Sequence, residues 1–203
     1  PAEQLPAPPL AAEAAPAPPP VGKQPNDEPG QPIRGAAAAI ARNMEASLTV
    51  PTATSFRNVP AKLLEVNRKV INGFRSRSGQ TKISFTHLIG WAIVRAIADA
   101  VPAMKNSYAV GDDGNPRLIV HDHVHMSLAV DVQKKDGSRT LLVPVLRDCD
   151  TNDFNGFLAA YEEVIRKVKS NKLTVDDFQG ANVSLTNPGG IGTVQSVPRL
   201  MPG

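Results

Sequence analysis

The stretch that decides the fold class is "VHMSLAVDVQKKDGSRTLLVPVLRD", residues 124–148. Its two ends, "VHMSLAVDV" and "SRTLLVPVLRD", have the composition of β-strands. The connecting "QKKDGS" contains Asp136-Gly137, a dipeptide typical of hairpin turns. This pattern predicts an antiparallel pair. Helical patterns lie on both sides of it without the repeated βαβ order of a doubly wound sheet, so we predict an α+β sandwich of helices and a mixed sheet.

Helical segments surround the predicted hairpin. Apolar residues recur at i, i+3 and i+4 in three segments, which predicts amphipathic helices beginning at Arg34, Pro60 and Thr151. Residues 84–102 are apolar nearly all round, which predicts a helix buried in a core or subunit contact rather than a membrane span. Two further strands are predicted, at 52–59 and 181–187.

The composition changes abruptly near residue 33. Residues 1–32 are dominated by Pro and Ala and lack core-forming side chains, so we predict a disordered linker before a domain at 33–203. The whole chain carries +3 and residues 1–32 carry −3, so the domain holds +6. This mild excess does not indicate a nucleic-acid partner. The sequence has neither a basic leader nor an apolar run of membrane-spanning length, which predicts a cytoplasmic protein without a membrane partner.

A glycine-rich segment, "NVSLTNPGGIGTV" at 182–194, contains the main candidate site. It fits neither a P-loop, because no Lys follows, nor a dinucleotide fingerprint, because Gln195 stands where the third Gly is required. Ser184 and Thr186 are two residues apart, so their side chains lie on the same face of the predicted strand. The strand is followed by Asn187-Pro188, a dipeptide typical of turns. Either these hydroxyls bind a ligand, or the segment is an ordinary turn whose hydroxyls are already hydrogen-bonded.

The remaining reactive side chains favour structural interpretations. His121, His123 and His125 have a spacing that suits zinc or copper, but no recognisable ligand cluster completes the set, so no metal site is predicted. His87 lies within the apolar helix and is interpreted as a hydrogen-bonded core residue. Cys149 is flanked by aspartates, which should raise its pKa and make it a poor nucleophile.

Five blocks of sequence, in this order, carry a family resemblance: "IRGAAAAIARNMEASLTVPTAT", "ISFTHLIGWAIVRAI", "LLVPVLRDCDT", "NKLTVDDFQGANVSLTNPGGIGT" and "SVPRLMPG". They resemble the catalytic domain of the 2-oxoacid dehydrogenase acyltransferases over residues 33–203. The nearest likeness is to the succinyltransferase-like domain fused in actinobacteria to a thiamine-dependent 2-oxoglutarate dehydrogenase/decarboxylase. The resemblance implies a chloramphenicol-acetyltransferase-like fold, a homotrimer, and succinyl transfer between dihydrolipoyl groups and coenzyme A.

The resemblance also implies roles for particular residues. Thr186 matches the family's oxyanion donor, and Arg34 matches an arginine that orients the site by pairing with an aspartate of the catalytic motif. Substrate-binding roles are expected for Ser184, Asn187, Gly189 and Gly190.

The resemblance further implies a set of cofactors and partners. Coenzyme A is the expected substrate, and the dihydrolipoyl group is expected on the lipoyl domain of a partner acyltransferase. Dihydrolipoamide dehydrogenase is expected in the same complex. Thiamine diphosphate and Mg²⁺ are expected only where the fused downstream domain is present.

The general base of the family is absent from these residues. It is the histidine of a His-x-x-x-Asp-Gly motif, and none of the four histidines stands in that motif. In the family the motif follows the block ending "SVPRLMPG". We therefore expect a domain truncated at its C-terminus and inactive by itself; the alternative is a non-catalytic assembly or scaffold module of the same complex.

Overall fold

The computed structural model of the chain describes residues 30–133, 137 and 139–200. The predicted linker at 1–32 therefore lies outside the described residues except for its last three positions. The chain divides into two compact units, with the boundary between Ile40 and Ala41. The domain boundary at residue 33 stays a prediction.

Four α-helices and seven β-strands are described. The helices are α1 Gly35–Ser47, α2 Lys62–Arg77, α3 Phe85–Asp99 and α4 Phe154–Lys169. The strands are β1 Ser107–Val110, β2 Pro116–Ile119, β3 Met126–Leu128, β4 Val130–Gln133, β5 Arg139–Leu142, β6 Val145–Leu146 and β7 Val183–Leu185. Short 3₁₀ turns cover Pro102–Lys105, Val175–Phe178 and Pro188–Ile191.

The predicted hairpin is confirmed, in two consecutive pieces. β4 pairs with β5 and β3 pairs with β6, both antiparallel, with breaks at Ala129 and at 143–144. Gly137 in the connection has a φ of 82°, the left-handed conformation that glycine adopts without strain. The central sheet has the order β6-β3-β7, in which β7 runs parallel to β3. The α+β class is thereby confirmed.

The core lies between helices α3 and α4 and the central sheet. Val94 of α3 and Phe157 of α4 are buried against Met126 and Leu146 from the strands. A Cβ atom added at Gly90 would lie 3.2 Å from Cζ of Phe157, so the absence of a side chain there permits the close approach of the two helices. This face of α3 is buried as predicted.

Two local predictions were wrong. Residues 52–59 form no strand and are exposed; among the described strands none pairs with them. Thr151 does not cap α4, because the helix begins later. Its N-cap is Asp153, whose Oδ1 accepts a hydrogen bond of 2.8 Å from the N–H of Gly156.

The turn that leads into β7 is held by a carboxylate. Asp177 accepts a hydrogen bond of 2.7 Å from Nζ of Lys167 on α4 and one of 2.8 Å from the N–H of Thr174. The Lys167 ammonium is the main reason that the pKa of Asp177 is lowered to about 2, with the Thr174 N–H next. These contacts fasten the segment before β7 to the end of α4.

Replacing Asp177 by Asn should lower the thermal unfolding temperature at pH 6, by the equivalent of about 1 kcal/mol or less. The unfolded pKa of Asp is about 3.9, so the stabilisation is complete above that pH. It is lost as the pH falls from there towards about 2. Unfolding temperatures of parent and variant should therefore converge near pH 2, with the exposed Asp112→Asn as control. If the difference in unfolding temperature between the parent and Asp177→Asn were the same at pH 6 and pH 2, the stabilising role of the ionised Asp177 would be contradicted.

Candidate active site

A cavity of about 630 Å³ opens at the end of β7, beside the β4–β5 pair. Its lining residues are Ala129, Asp131, Arg139, Leu141, Thr186, Asn187 and Pro188. Two of the predicted site residues, Thr186 and Asn187, therefore lie together in one concave surface. Such a cavity suits a small ligand.

The position of Thr186 follows from the way β7 is held. Before the strand, the side chain of Asn182 accepts a hydrogen bond of 2.9 Å from the N–H of His125 and donates one of 2.8 Å to the backbone oxygen of His123. At its end, the N–H of Ala129 donates to the backbone oxygen of Leu185 at 3.1 Å. Thr186 is the next residue and is exposed. The Thr186 hydroxyl therefore lies at the end of a strand that hydrogen bonds hold at both ends.

Ser184 lies two residues earlier on the same strand but does not line the cavity. Its Oγ is 2.6 Å from Oγ of the buried Ser127 on β3. This contact ties β7 to β3, while the predicted substrate-binding role of Ser184 stays a prediction.

The turn after Thr186 is organised by Asn187. Its Nδ2 donates to Oγ1 of Thr86 on α3 at 3.0 Å, and its Oδ1 accepts from the N–H of Gly189 at 3.1 Å. Gly189 and Gly190 both lie in the 3₁₀ turn, which ends at Gly192 with a φ of 78°. Asn187 therefore connects the cavity wall to helix α3 and sets the path of the glycine turn.

An ion pair forms the charged part of the cavity wall. Arg139 on β5 makes a two-point contact with Asp131 on β4: its Nε donates to Oδ1 at 3.2 Å and its Nη2 donates to Oδ2. Both side chains remain partly open to solvent. The sequence interpretation missed both residues. A lone acid within the apolar strand "LAVDV" was a signal for Asp131, whereas its pairing with Arg139 depends on the register of the hairpin.

Arg34 lies in the N-terminal unit. It is exposed and immediately precedes α1. The aspartate partner that the resemblance implies for it stays a prediction.

Three histidines that follow β2 have separate partners. Nε2 of His121 lies 2.8 Å from Oγ of Ser107, and Nδ1 of His123 lies 3.5 Å from a carboxylate oxygen of Asp150. Nδ1 of His125 accepts a hydrogen bond of 3.1 Å from the N–H of residue 148. Within the described residues there is no group of three His, Cys, Asp or Glu arranged to hold a metal ion.

His87 is a core residue, as predicted, and Cys149 is buried in the core as well. Nδ1 of His87 accepts a hydrogen bond of 2.9 Å from the N–H of Ser84, and its ring packs edge-on against Tyr161. Burial lowers the pKa of His87. Burial, with smaller effects from Asp150 and Asp148, raises the pKa of Cys149 to about 11. Neither residue lines the Thr186 cavity.

Most of the chain is similar to a known protein family. Residues 25–203 match the model of the family described as 2-oxoacid dehydrogenases acyltransferase (catalytic domain). The 2-oxoglutarate dehydrogenase E1/E2 component of Corynebacterium glutamicum is 52% identical over 177 residues, 87% of this chain. The chain spans only 14% of that relative's length.

Solved structures give the same fold. The cubic core of a pyruvate dehydrogenase multienzyme complex has a TM-score of 0.69 and 29% identity, with 92% of this chain and 73% of that chain covered. Dihydrolipoamide acetyltransferase from Azotobacter vinelandii has a TM-score of 0.68 and 26% identity, with the same coverage. The latter structure addresses a serine, a histidine and an asparagine in that enzyme's catalytic mechanism. These likenesses confirm the predicted chloramphenicol-acetyltransferase-like fold.

In the part of the chain that the structure describes, the helices are too short or too polar to cross a membrane.

Proposed function

Because this chain belongs to the family of 2-oxoacid dehydrogenase acyltransferase catalytic domains, we propose that its Thr186 cavity is part of the site that transfers a succinyl group between a dihydrolipoyl thiol and coenzyme A. The observation that carries this proposal is the placement of the Thr186 hydroxyl in a cavity of about 630 Å³ at the end of a fixed strand. A 2-oxoglutarate dehydrogenase activity in the name of the Corynebacterium relative supports succinyl as the acyl group.

The chemistry assigns Thr186 a defined task. The coenzyme A thiolate attacks the thioester carbonyl carbon, a carbon–sulfur bond forms, and the carbonyl oxygen becomes an oxyanion. The Thr186 Oγ–H donates a hydrogen bond to that oxyanion, which stabilises the tetrahedral intermediate. The intermediate collapses when the bond to the dihydrolipoyl sulfur breaks, and the departing thiolate takes up a proton.

The general base comes from outside these 203 residues. Attack requires a deprotonated thiol, and general-base assistance is typically worth about 10²–10⁴ in rate. No histidine of the chain stands in a His-x-x-x-Asp-Gly motif, and there is no histidine among the described residues that line the cavity. His87, the buried one, already accepts a hydrogen bond at Nδ1. The 203-residue chain is therefore expected to be inactive alone.

The proposed assembly is a homotrimer, and an exposed apolar stripe on α2 supports it. Residues at i, i+3 and i+4 spacing along one side of this helix are exposed, namely Leu63, Val66, Val70 and Phe74. A stripe of this kind needs a covering surface, and a homotrimer of this domain would supply one. The similar cubic core of a pyruvate dehydrogenase complex supports such assembly.

The other partners follow from the reaction. Succinyl groups arrive on the lipoyl domain of a partner acyltransferase, and dihydrolipoamide dehydrogenase reoxidises that arm. Thiamine diphosphate and Mg²⁺ are part of this proposal only where a fused thiamine-dependent dehydrogenase/decarboxylase domain is present. The setting of this chemistry is cytoplasmic.

The test joins residues 1–203 to a C-terminal segment that carries the His-x-x-x-Asp-Gly motif expected for the family. Transfer from succinyl-dihydrolipoamide to coenzyme A is then measured for the joined and the 203-residue chains. We expect turnover by the joined chain and a rate at least about 10²-fold lower for the shorter one. Full turnover by the 203-residue chain would contradict the proposal that it lacks the general base. An inactive but folded and assembled joined chain would favour the non-catalytic assembly module.

A further inference from the structure

The cavity that contains Thr186 also contains a guanidinium group. Among the described residues that line it, Arg139 is positively charged and Asp131 is negatively charged. An acyl-transfer site for a simple acetyl group needs no cation beside the acyl chain. A succinyl group differs because it carries a second carboxylate. The presence of Arg139 in the wall therefore bears on which acyl group the site accepts.

The contact with Asp131 uses only part of the hydrogen-bonding capacity of Arg139. A guanidinium has five N–H donors, and Asp131 accepts from one on Nε and one on Nη2. Three donors remain, two of them on Nη1, and they have no acceptor among the described residues. The side chain is 60% exposed, so these donors are accessible. Asp131 fixes the orientation of the Arg139 guanidinium. The other edge of the guanidinium is open to a second carboxylate.

We infer that Arg139 is a specificity-determining residue that binds the distal carboxylate of the succinyl group; this inference rests on the proposed function. With the thioester carbonyl at Thr186, the distal carboxylate is only three carbon–carbon bonds away, each about 1.5 Å long. Both residues line one cavity. The phosphates of coenzyme A are the other anionic source, but they lie at the far end of the pantetheine arm. The acyl carboxylate is therefore the group that Arg139 contacts.

The experiment measures equilibrium binding, so it does not depend on whether the chain catalyses transfer. Isothermal titration calorimetry measures the affinity of the 203-residue chain for four ligands: succinyl-CoA, acetyl-CoA, coenzyme A and 3′-dephospho-coenzyme A. The variants are Arg139→Gln, Arg139→Lys and the control Arg117→Gln. Arg117 on β2 is also 60% exposed on the side chain. It is also paired with an aspartate, Asp113 in the turn between β1 and β2, but it does not line the cavity.

Arg139→Gln should weaken succinyl-CoA binding about 10- to 100-fold, the range expected for a lost hydrogen bond to a charged group. Its affinity for acetyl-CoA and coenzyme A should change less than about 2-fold, because neither has an acyl carboxylate. Arg139→Lys should restore part of the loss, and Arg117→Gln should match the parent. Unfolding temperatures of all variants establish that the fold is intact.

Other results would overturn the inference. If Arg139→Gln weakened the binding of succinyl-CoA and of acetyl-CoA equally, Arg139 would not be the residue that binds the acyl carboxylate. A defect that appears with coenzyme A but not with 3′-dephospho-coenzyme A would assign Arg139 to a phosphate instead. Either result leaves the transfer test of the proposed function unaffected. A parent chain that binds none of the four compounds would overturn both the inference and the placement of the site.

Discussion

Thr186→Ala in the joined chain should lower kcat for succinyl transfer by about 10²–10³, the usual cost of removing an oxyanion donor. KM should change little, because the hydroxyl contacts the oxygen most strongly after it has gained charge in the transition state. Thr186 is exposed and lines the cavity, and its hydroxyl has no hydrogen-bond partner among the described residues, so the fold should tolerate alanine. Steady-state kinetics with succinyl-dihydrolipoamide and coenzyme A give both constants.

Three further variants make that result specific. Thr140→Ala is the matched control, because Thr140 lies on the neighbouring β5 but does not line the cavity; its kcat should equal that of the parent. Thr186→Ser keeps a hydroxyl and should retain most of the activity. Ser184→Ala should raise KM if Ser184 binds substrate as predicted. A Thr186→Ala variant as fast as its parent would remove Thr186 from the mechanism.

Val94→Asp should abolish folding. Val94 has 0% exposure at the centre of the α3–α4–sheet core, so a carboxylate there would be buried without a partner. The effective penalty is several kcal/mol for such an ion, and the cavity and packing losses add to it. The net stability of a typical domain is only about 5–15 kcal/mol. Circular dichroism and thermal unfolding of the purified variant would measure the loss.

Ile89→Asp on the same helix is the matched control, because Ile89 is 40% exposed and an aspartate there can reach water. This variant should remain folded. A soluble Val94→Asp variant with the unfolding temperature of the parent would show that the core has been placed wrongly.

Much of the fold was predictable because the local sequence patterns favour the same helices and strands that the packed structure contains. The Asp136-Gly137 turn and the strand composition around it predicted the hairpin, which the pairing of β4 with β5 confirms. The apolar helix at 84–102 predicted a buried α3. The strand at 52–59 was not predictable in this way: Thr and Val favour strands, but a strand also needs a neighbour, and no described strand pairs with this segment.

The candidate site was predictable only in part. Thr186 and Asn187 are adjacent in sequence, so a strand followed by a turn was enough to bring them together. Asp131 and Arg139 reach the same cavity through pairing between β4 and β5 and through the parallel contact of β3 with β7. Register between distant segments is set by the whole packed structure, which sequence spacing alone does not give.

The most direct test of the oxyanion role measures the bond that Thr186 is expected to polarise. Isotope-edited infrared difference spectra of succinyl-CoA, with and without ¹³C at the thioester carbonyl, report the stretching frequency of that carbonyl when bound to the 203-residue chain. If the Thr186 hydroxyl donates to the carbonyl oxygen, the bound frequency is lower in the parent than in Thr186→Ala, and Thr140→Ala matches the parent. The same carbonyl frequency for ligand bound to the parent and to Thr186→Ala would contradict the role of Thr186 as oxyanion donor.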